Sequence, residues 1–258
     1  MPSPCRPPTM HASEFLLYAA VGALAQLVDG AMGMAYGVTA AAMLLGLGLP
    51  PAAATASVHY AETFTCGASG ASHWLAGNVR RGLFLALAVP GVIGAVAGAY
   101  AVSRLPAHWL KLLLLPYLLG IGVFLLIRAR RPRALREDVP PGTRALGGVA
   151  GLLDAIGGGG WSALTVTQLM ARGVAPRVAI GSAHLAKCVV SAAASISFLL
   201  TLGVQHGIAV LGIVAGGVVA APMGALLTRH MPARLATALA GAAVLALAIN
   251  NAYAALRH

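Results

Sequence analysis

The chain is predicted to be an all-α integral membrane protein made of two homologous halves of about 125 residues. Three observations predict this. Hydrophobic residues fill 59% of 258 positions and charged residues only 9%, with a mean hydropathy of +0.85. A soluble domain carries about 25% charged residues, so these few cannot cover a surface that faces water. Several apolar stretches reach the roughly 20 residues that a bilayer crossing needs. Finally, a displacement of 125 residues brings rare polar residues inside those stretches into register. High glycine (32 residues) and low aromatic content (5%) favour close-packed helices. A membrane barrel would need alternating strands and aromatic girdles, and neither is present.

Residues 1–14, MPSPCRPPTMHASE, form a polar, proline-rich tail. It lacks an apolar run ending in a small-residue cleavage site, so no cleaved signal peptide is expected. Residues 15–127 form the first transmembrane repeat. It opens with 15–49, read as two short apolar pieces around DGAMGMAYG. Each piece is about a dozen residues, or roughly 18 Å of helix, too short to cross alone. Full spans are expected at 52–76, 83–103 and 108–127. Residues 128–144, RARRPRALREDVPPGTR, read as a basic cytoplasmic loop. Residues 145–258 form the second repeat. It opens with short pieces around DAIGGGG at 145–174 and continues with spans at 178–202, 207–228 and 235–256.

The repeat aligns Asp29 with Asp154, Gly33 with Gly158, Tyr36 with Trp161, and Pro51 with Pro176. It also aligns Ser57 with Ser182, His59 with His184, Ala61 with Ala186 and Gly82 with Gly207. A one-residue slip then matches Gly98 with Gly224 and Pro106 with Pro232. Matches of Asp, His and Pro carry the argument, because such residues are rare inside membranes.

Basic residues bear on the orientation of the halves. If 15–49 and 145–174 cross fully, the halves are parallel. Arg6, Arg80, Arg81, Arg128, Arg130, Arg131, Arg133, Arg136, Arg144 and Arg257 then lie inside. Arg104, Lys111, Arg172, Arg177, Arg229 and Arg234 lie outside. If both segments are re-entrant, the halves are inverted. Arg172, Arg177, Arg229 and Arg234 then move inside, and Arg6 and Arg257 move out. The positive-inside rule favours inversion.

The two breaks are the first candidate site. Backbone exposed at membrane depth is tolerated only inside protein or beside a polar cavity. A half-helix starting there aims its N–H groups and positive dipole end inward, as an anion site requires. Asp29, Gly33 and Tyr36 mark the first break, and Asp154, Gly157, Gly158, Gly159 and Trp161 the second. The alternative is that the glycines only permit tight helix crossings. The following helices, TASVHYAET and IGSAHLAKC, carry the second set. Helical spacing puts His59, Glu62 and Thr63 on one face, and His184, Lys187 and Ser191 on its counterpart. Ser57 and Ser182 precede them as donors. Glu62 and Lys187 occupy equivalent positions with opposite charge, so a buried pair is expected. It would either gate a site or hold the halves in register. Lys187 and His184 would attract an anion, and Glu62 or His59 would exchange a coupled proton. His73 faces either a vestibule or the interface, where Trp74 and Trp109 read as anchors.

The charge of +11 is a topology signal here, so no nucleic-acid partner is expected. Cys5, Cys66 and Cys188 lack metal or disulfide spacing. Six acidic residues offer few ligands for a metal pathway, so no metal site and no cofactor are expected. There is no P-loop, HExxH or nucleophile elbow, so the chain is not expected to be an enzyme.

LVDGAMGMAYG with P-x5-S-x-H-x2-E, LLDAIGGGGW with P-x5-S-x-H-x2-K, and SHWLAGNV at 72–79 resemble the TauE/SafE sulfite exporter family. The resemblance covers residues 15–256. It implies a secondary transporter, multi-pass in the cytoplasmic (inner) membrane, for sulfite, sulfonates and related small anions. Relatives often carry an acidic residue in the second-half helix where this chain has His184 and Lys187, which makes the site more basic. The sequence reading is therefore an anion exporter working by alternating access, surrounded by lipid, whose glycine-rich faces would permit a homodimer. Transition-metal transport and a non-transporting membrane assembly role are the alternatives.

Overall fold

The computed structural model describes residues 12–32, 36–106, 109, 116–117, 119–120, 123–124, 126–127, 139–204, 206–228, 238, 242, 245–246, 249 and 253. Among these, the helices are α1 (Ala12–Met32), α2 (Tyr36–Gly46), α3 (Pro51–Leu75), α4 (Arg81–Arg104), α5 (Thr143–Gly157), α6 (Trp161–Ala171), α7 (Pro176–Leu202) and α8 (Gly207–Thr228). The expected spans 108–127 and 235–256 lie largely outside the described residues.

Local chemistry accounts for these boundaries. Proline opens both α3 and α7, where its missing N–H costs nothing and its φ suits a helix. α5 ends at Gly158 in the left-handed region, whose N–H bonds the Asp154 carbonyl. Gly158, Gly159 and Gly160 have φ of 66°, 152° and 120° in succession. An L side chain tolerates none of these easily, so the glycine run is what turns α5 into α6. In the first half α1 is described to Met32 and α2 from Tyr36, the counterparts of Gly157 and Trp161, so the described helix ends fall in the same register in both halves. One expectation changes here. The piece before the first break is a helix of 21 residues, not a dozen, because it starts at Ala12 and runs on through Asp29 and Gly30.

Two described helical segments, Arg81–Arg104 and Val178–Leu202, are long and apolar enough to cross a membrane. α3 is as long, with 25 residues, but its His59, Glu62 and His73 reduce its apolar character. Among the described residues many large apolar side chains are exposed, while a set of polar and charged ones is buried. On α4, Leu85, Val89, Ile93, Val96 and Tyr100 recur every three or four residues and are all exposed. The opposite face, with Leu87, Gly91, Ala95 and Gly98, is buried. Such an exposed stripe suits lipid. His59, Glu62, Asp154 and Lys187 are buried.

The main contacts are reciprocal. α1 packs on α8 and α5 packs on α4, so exchanging the halves carries one contact into the other. A methyl at Gly22 would meet Ile213, and one at Gly147 would meet Leu87, the same contact displaced by about one repeat. α3 packs on its own counterpart, α7. Along that contact Tyr60 meets Gly203, Thr63 meets Ser195, Ser69 meets His184, and Gly181 meets His73. Numbers rise on one helix as they fall on the other, so α3 and α7 are antiparallel. α4 and α5 run parallel, with Leu87 beside Gly147, Gly91 beside Gly151, and Gly98 beside Leu152.

Lipid gives helices no hydrophobic reason to associate, so contact depends on close backbone approach. Gly151→Val would drive a side chain into the Gly91 carbonyl. It is expected to lower stability by about 1–3 kcal/mol, read as a lower thermal midpoint in detergent. Gly67→Ala, whose methyl only reaches Cys188 Sγ at 3.4 Å, is expected to stay near wild type. Equal midpoints for the two variants would contradict the tight α4–α5 contact.

Candidate functional site

The site is built from the α5–α6 break outward. Gly160, before the first residue of α6, has no side chain to cap it. The cap comes from the preceding helix: Asp154 Oδ1 accepts the Trp161 N–H at 2.7 Å. The first half repeats the device, with Tyr36 N–H donating to Asp29 Oδ1 at 3.1 Å. In each half a carboxylate seven residues upstream meets the positive end of a half-helix. The chain's own acids therefore sit where a ligand anion was expected.

Asp154 then gathers the other charges. Lys187 of α7 donates to Asp154 Oδ1 at 3.3 Å and lies 2.6 Å from Glu62 Oε1 of α3. Ser191 Oγ donates to Glu62 Oε2 at 3.4 Å. His59 Nε2 lies 3.1 Å from the Asp154 carbonyl, and its ring stacks on Phe198. Its Nδ1 lies 3.7 Å from Glu62 Oε2 and 3.9 Å from Asp154 Oδ2. All these groups are buried. The cluster joins the first half, through α3, to the second, through α5 and α7.

The walls are held by further hydrogen bonds. Tyr117 O–H donates to the Gly159 carbonyl, Thr55 Oγ1 to the Ala155 carbonyl at 3.0 Å, and Trp161 Nε1 to the Ala183 carbonyl at 3.0 Å. A methyl at Gly37 would overlap Glu62 Oε1 and the Gly159 backbone, so the start of α2 closes directly over the cluster.

The expected site residues divide into groups. Asp154, His59, Glu62, Lys187 and Ser191 come together, with Gly159 and Trp161 beside them. Thr63 bonds its own helix at the His59 carbonyl and touches Ser195. Ser57 is buried, and its Oγ has no hydrogen-bond partner among the described residues. Asp29 and Tyr36 form the cap of α2. Gly157 packs on the Tyr117 ring, and Gly158 against Ala41 and Thr55. His184 goes elsewhere, bonding Ser69 at 2.8 Å with its ring edge toward His73. Ser182 accepts the Arg80 N–H at 3.0 Å near the same end. Gly33 lies outside the described residues.

Sequence reasoning missed the capping role of the two aspartates, although an Asp seven residues before an aromatic recurs in both halves. It also missed Tyr117 and Phe198. Tyr117 left a signal, as a phenol within an otherwise apolar stretch. His59, Glu62 and Asp154 each bring one ligand atom within 4.8 Å of the others, the arrangement a metal ion would use. The Lys187 ammonium sits on the same two carboxylates, which opposes a divalent cation there.

Residues 18–251 match the family described as sulfite exporter TauE/SafE. The chain belongs to this family. It is also 38% identical over 237 residues to a protein of Bacillus subtilis (strain 168) named "Probable membrane transporter protein YtnM", covering 88% of this chain and 79% of the other. No solved structure matches. As a TauE/SafE family member the chain is a membrane transporter, and the polar cluster is the part of its interior that apolar packing alone would not produce.

Removing one partner of a buried ion pair is far more disruptive than removing both. Lys187→Met is expected to lower stability by about 3 kcal/mol in a denaturant titration in detergent. Adding Glu62→Gln to Lys187→Met should recover part of that loss. A double variant as unstable as the sum of the singles would contradict the pair.

Proposed function

We propose that this TauE/SafE member is a secondary transporter of the cytoplasmic membrane that exports a small anion by alternating access. Sulfite, a sulfonate or a related organosulfur or carboxylate anion is the cargo class, and a proton is the coupling ion. The observation that carries this reading is the buried Glu62–Lys187–Asp154 network between the two halves. Lys187 is the buried cation among the described residues, and two carboxylates hold it. An arriving anion would compete with those carboxylates for the ammonium. Winning that competition loosens the contact between halves, and rocking then exposes the site on the other side.

Several features support inverted halves. α3 and α7 are counterparts and antiparallel, which fits an even number of crossings between them, α4 and the expected span 108–127. Parallel packing of α4 and α5 fits a chain that enters with α5, turns at Gly158–Gly160 and leaves with α6 on the same side. The exposed apolar stripe of α4 would face lipid. The binding residues would be Lys187, Glu62, Ser191, His59 and the Gly158–Gly159 backbone, with Ser57 as a buried spare hydroxyl.

The three-ligand arrangement of His59, Glu62 and Asp154 favours a second reading, transition-metal transport. One experiment separates the two. A ligand that binds only the folded state raises its apparent stability by mass action. Sulfite, sulfonates and thiosulfate are expected to raise the thermal midpoint of the purified protein, and Lys187→Met to abolish both that shift and flux in proteoliposomes. Stabilisation by divalent transition metals alone, lost in His59→Ala, would replace the anion reading with the metal one.

A further inference from the structure

The tautomer of His59 follows from its partner. Nε2 faces the Asp154 carbonyl oxygen at 3.1 Å, and a carbonyl can only accept. Nε2 therefore carries a hydrogen. In a neutral ring Nδ1 is then a bare lone pair. It has no hydrogen-bond partner among the described residues, and neither has Asp154 Oδ2. Nδ1 points between Glu62 Oε2 at 3.7 Å and Asp154 Oδ2 at 3.9 Å. Three electron-rich atoms thus converge, while Lys187 uses the other oxygen of each carboxylate, Oε1 and Oδ1.

The charge count agrees with the geometry. α3 contributes His59 and Glu62, α5 contributes Asp154, and α7 contributes Lys187. Asp29 of α1 is directed to the α2 cap. Among the described residues, and with a neutral imidazole, the cluster's two carboxylates and one ammonium sum to one net negative charge. Leaving a charge uncompensated in such surroundings is strongly unfavourable. One added positive charge between Nδ1, Oε2 and Oδ2 removes both the excess charge and the lone-pair repulsion.

We propose that the cup formed by His59 Nδ1, Glu62 Oε2 and Asp154 Oδ2 binds one proton per chain, and that this is the coupling proton of the transporter. A divalent metal would leave a net positive charge beside the Lys187 ammonium. Sodium prefers a cage of oxygens, and one of these three donors is an imidazole nitrogen. The proton is carried on Nδ1 as an imidazolium, or on Glu62 Oε2 as a carboxylic acid that faces Nδ1 at 3.7 Å. The coupling role deepens the transporter reading above and rests on it, whereas occupancy of the cup does not.

The test uses the full chain, labelled with 15N-histidine, in nanodiscs at pH 7. His59 nitrogen signals are identified by their loss in His59→Gln, or by their shift in Glu62→Gln if the first variant does not fold. The expected result is either of two signatures. One is a His59 ring with both nitrogens protonated. The other is a neutral ring with hydrogen on Nε2 together with a protonated-carboxyl infrared band that disappears in Glu62→Gln. A neutral ring with no such band overturns the proposal. So does a change in the His59 signals on adding stoichiometric Zn2+ or on replacing K+ with Na+, because the cup would then hold a metal cation. A proton signature without any stabilisation by sulfur oxyanions would leave the cup standing and remove the anion cargo.

Discussion

The Lys187 ammonium lies in a protein interior surrounded by lipid, and much else in the molecule follows from how that charge is met. Its desolvation is tolerable only with carboxylates at close range and with further hydrogen bonds on those carboxylates. Glu62 and Asp154 provide the first, and Ser191 and the Trp161 N–H provide the second. Each requirement constrains the backbone. Asp154 must stand near the end of α5, and the chain must then turn within three residues so that α6 begins beside it. Glu62 must arrive from the other half, which requires α3 to cross α7 at this depth.

Two kinds of contact therefore share the work of holding the helices. Around the cluster the contacts are ionic and hydrogen-bonded. Away from it they are close approaches of backbone, as where Gly91 and Gly94 lie against Gly151 and Gly148. The second kind tolerates little change in spacing, because the atoms already touch. The first can exchange one partner for another without leaving a cavity. The meeting of α3, α5 and α7 is therefore polar at its centre, and glycine-packed contacts between helices of the two halves flank it.

The antiparallel packing of α3 on α7 also separates residues that the repeat makes equivalent. Glu62 and Lys187 lie close to the crossing of these helices, and two long side chains span the gap. Moving three residues back along both helices to His59 and His184 adds about 9 Å of separation. The two histidines consequently have different surroundings, one beside Asp154 and Phe198, the other beside Ser69 and His73. A repeated sequence has become an asymmetric site.

Composition, the 125-residue repeat, the glycine break after Asp154 and the helix starts at Pro51 and Pro176 were all legible in the sequence, because each depends on neighbours within a few residues or on bulk solvation. Lipid selects apolar surface wherever it lies, and a run of positive-φ positions admits little but glycine. The opposite charges at Glu62 and Lys187 were legible too, as equivalent positions on related helices. What only the tertiary structure decided was partnership: that Asp154 caps α6 and holds Lys187 at once, that His184 stays out of the cluster, and that His59 points its unbonded nitrogen between two carboxylates. Those facts depend on the direction and depth at which α3 crosses α7, and helix periodicity constrains the face a residue occupies without specifying which residue of a distant helix arrives opposite it.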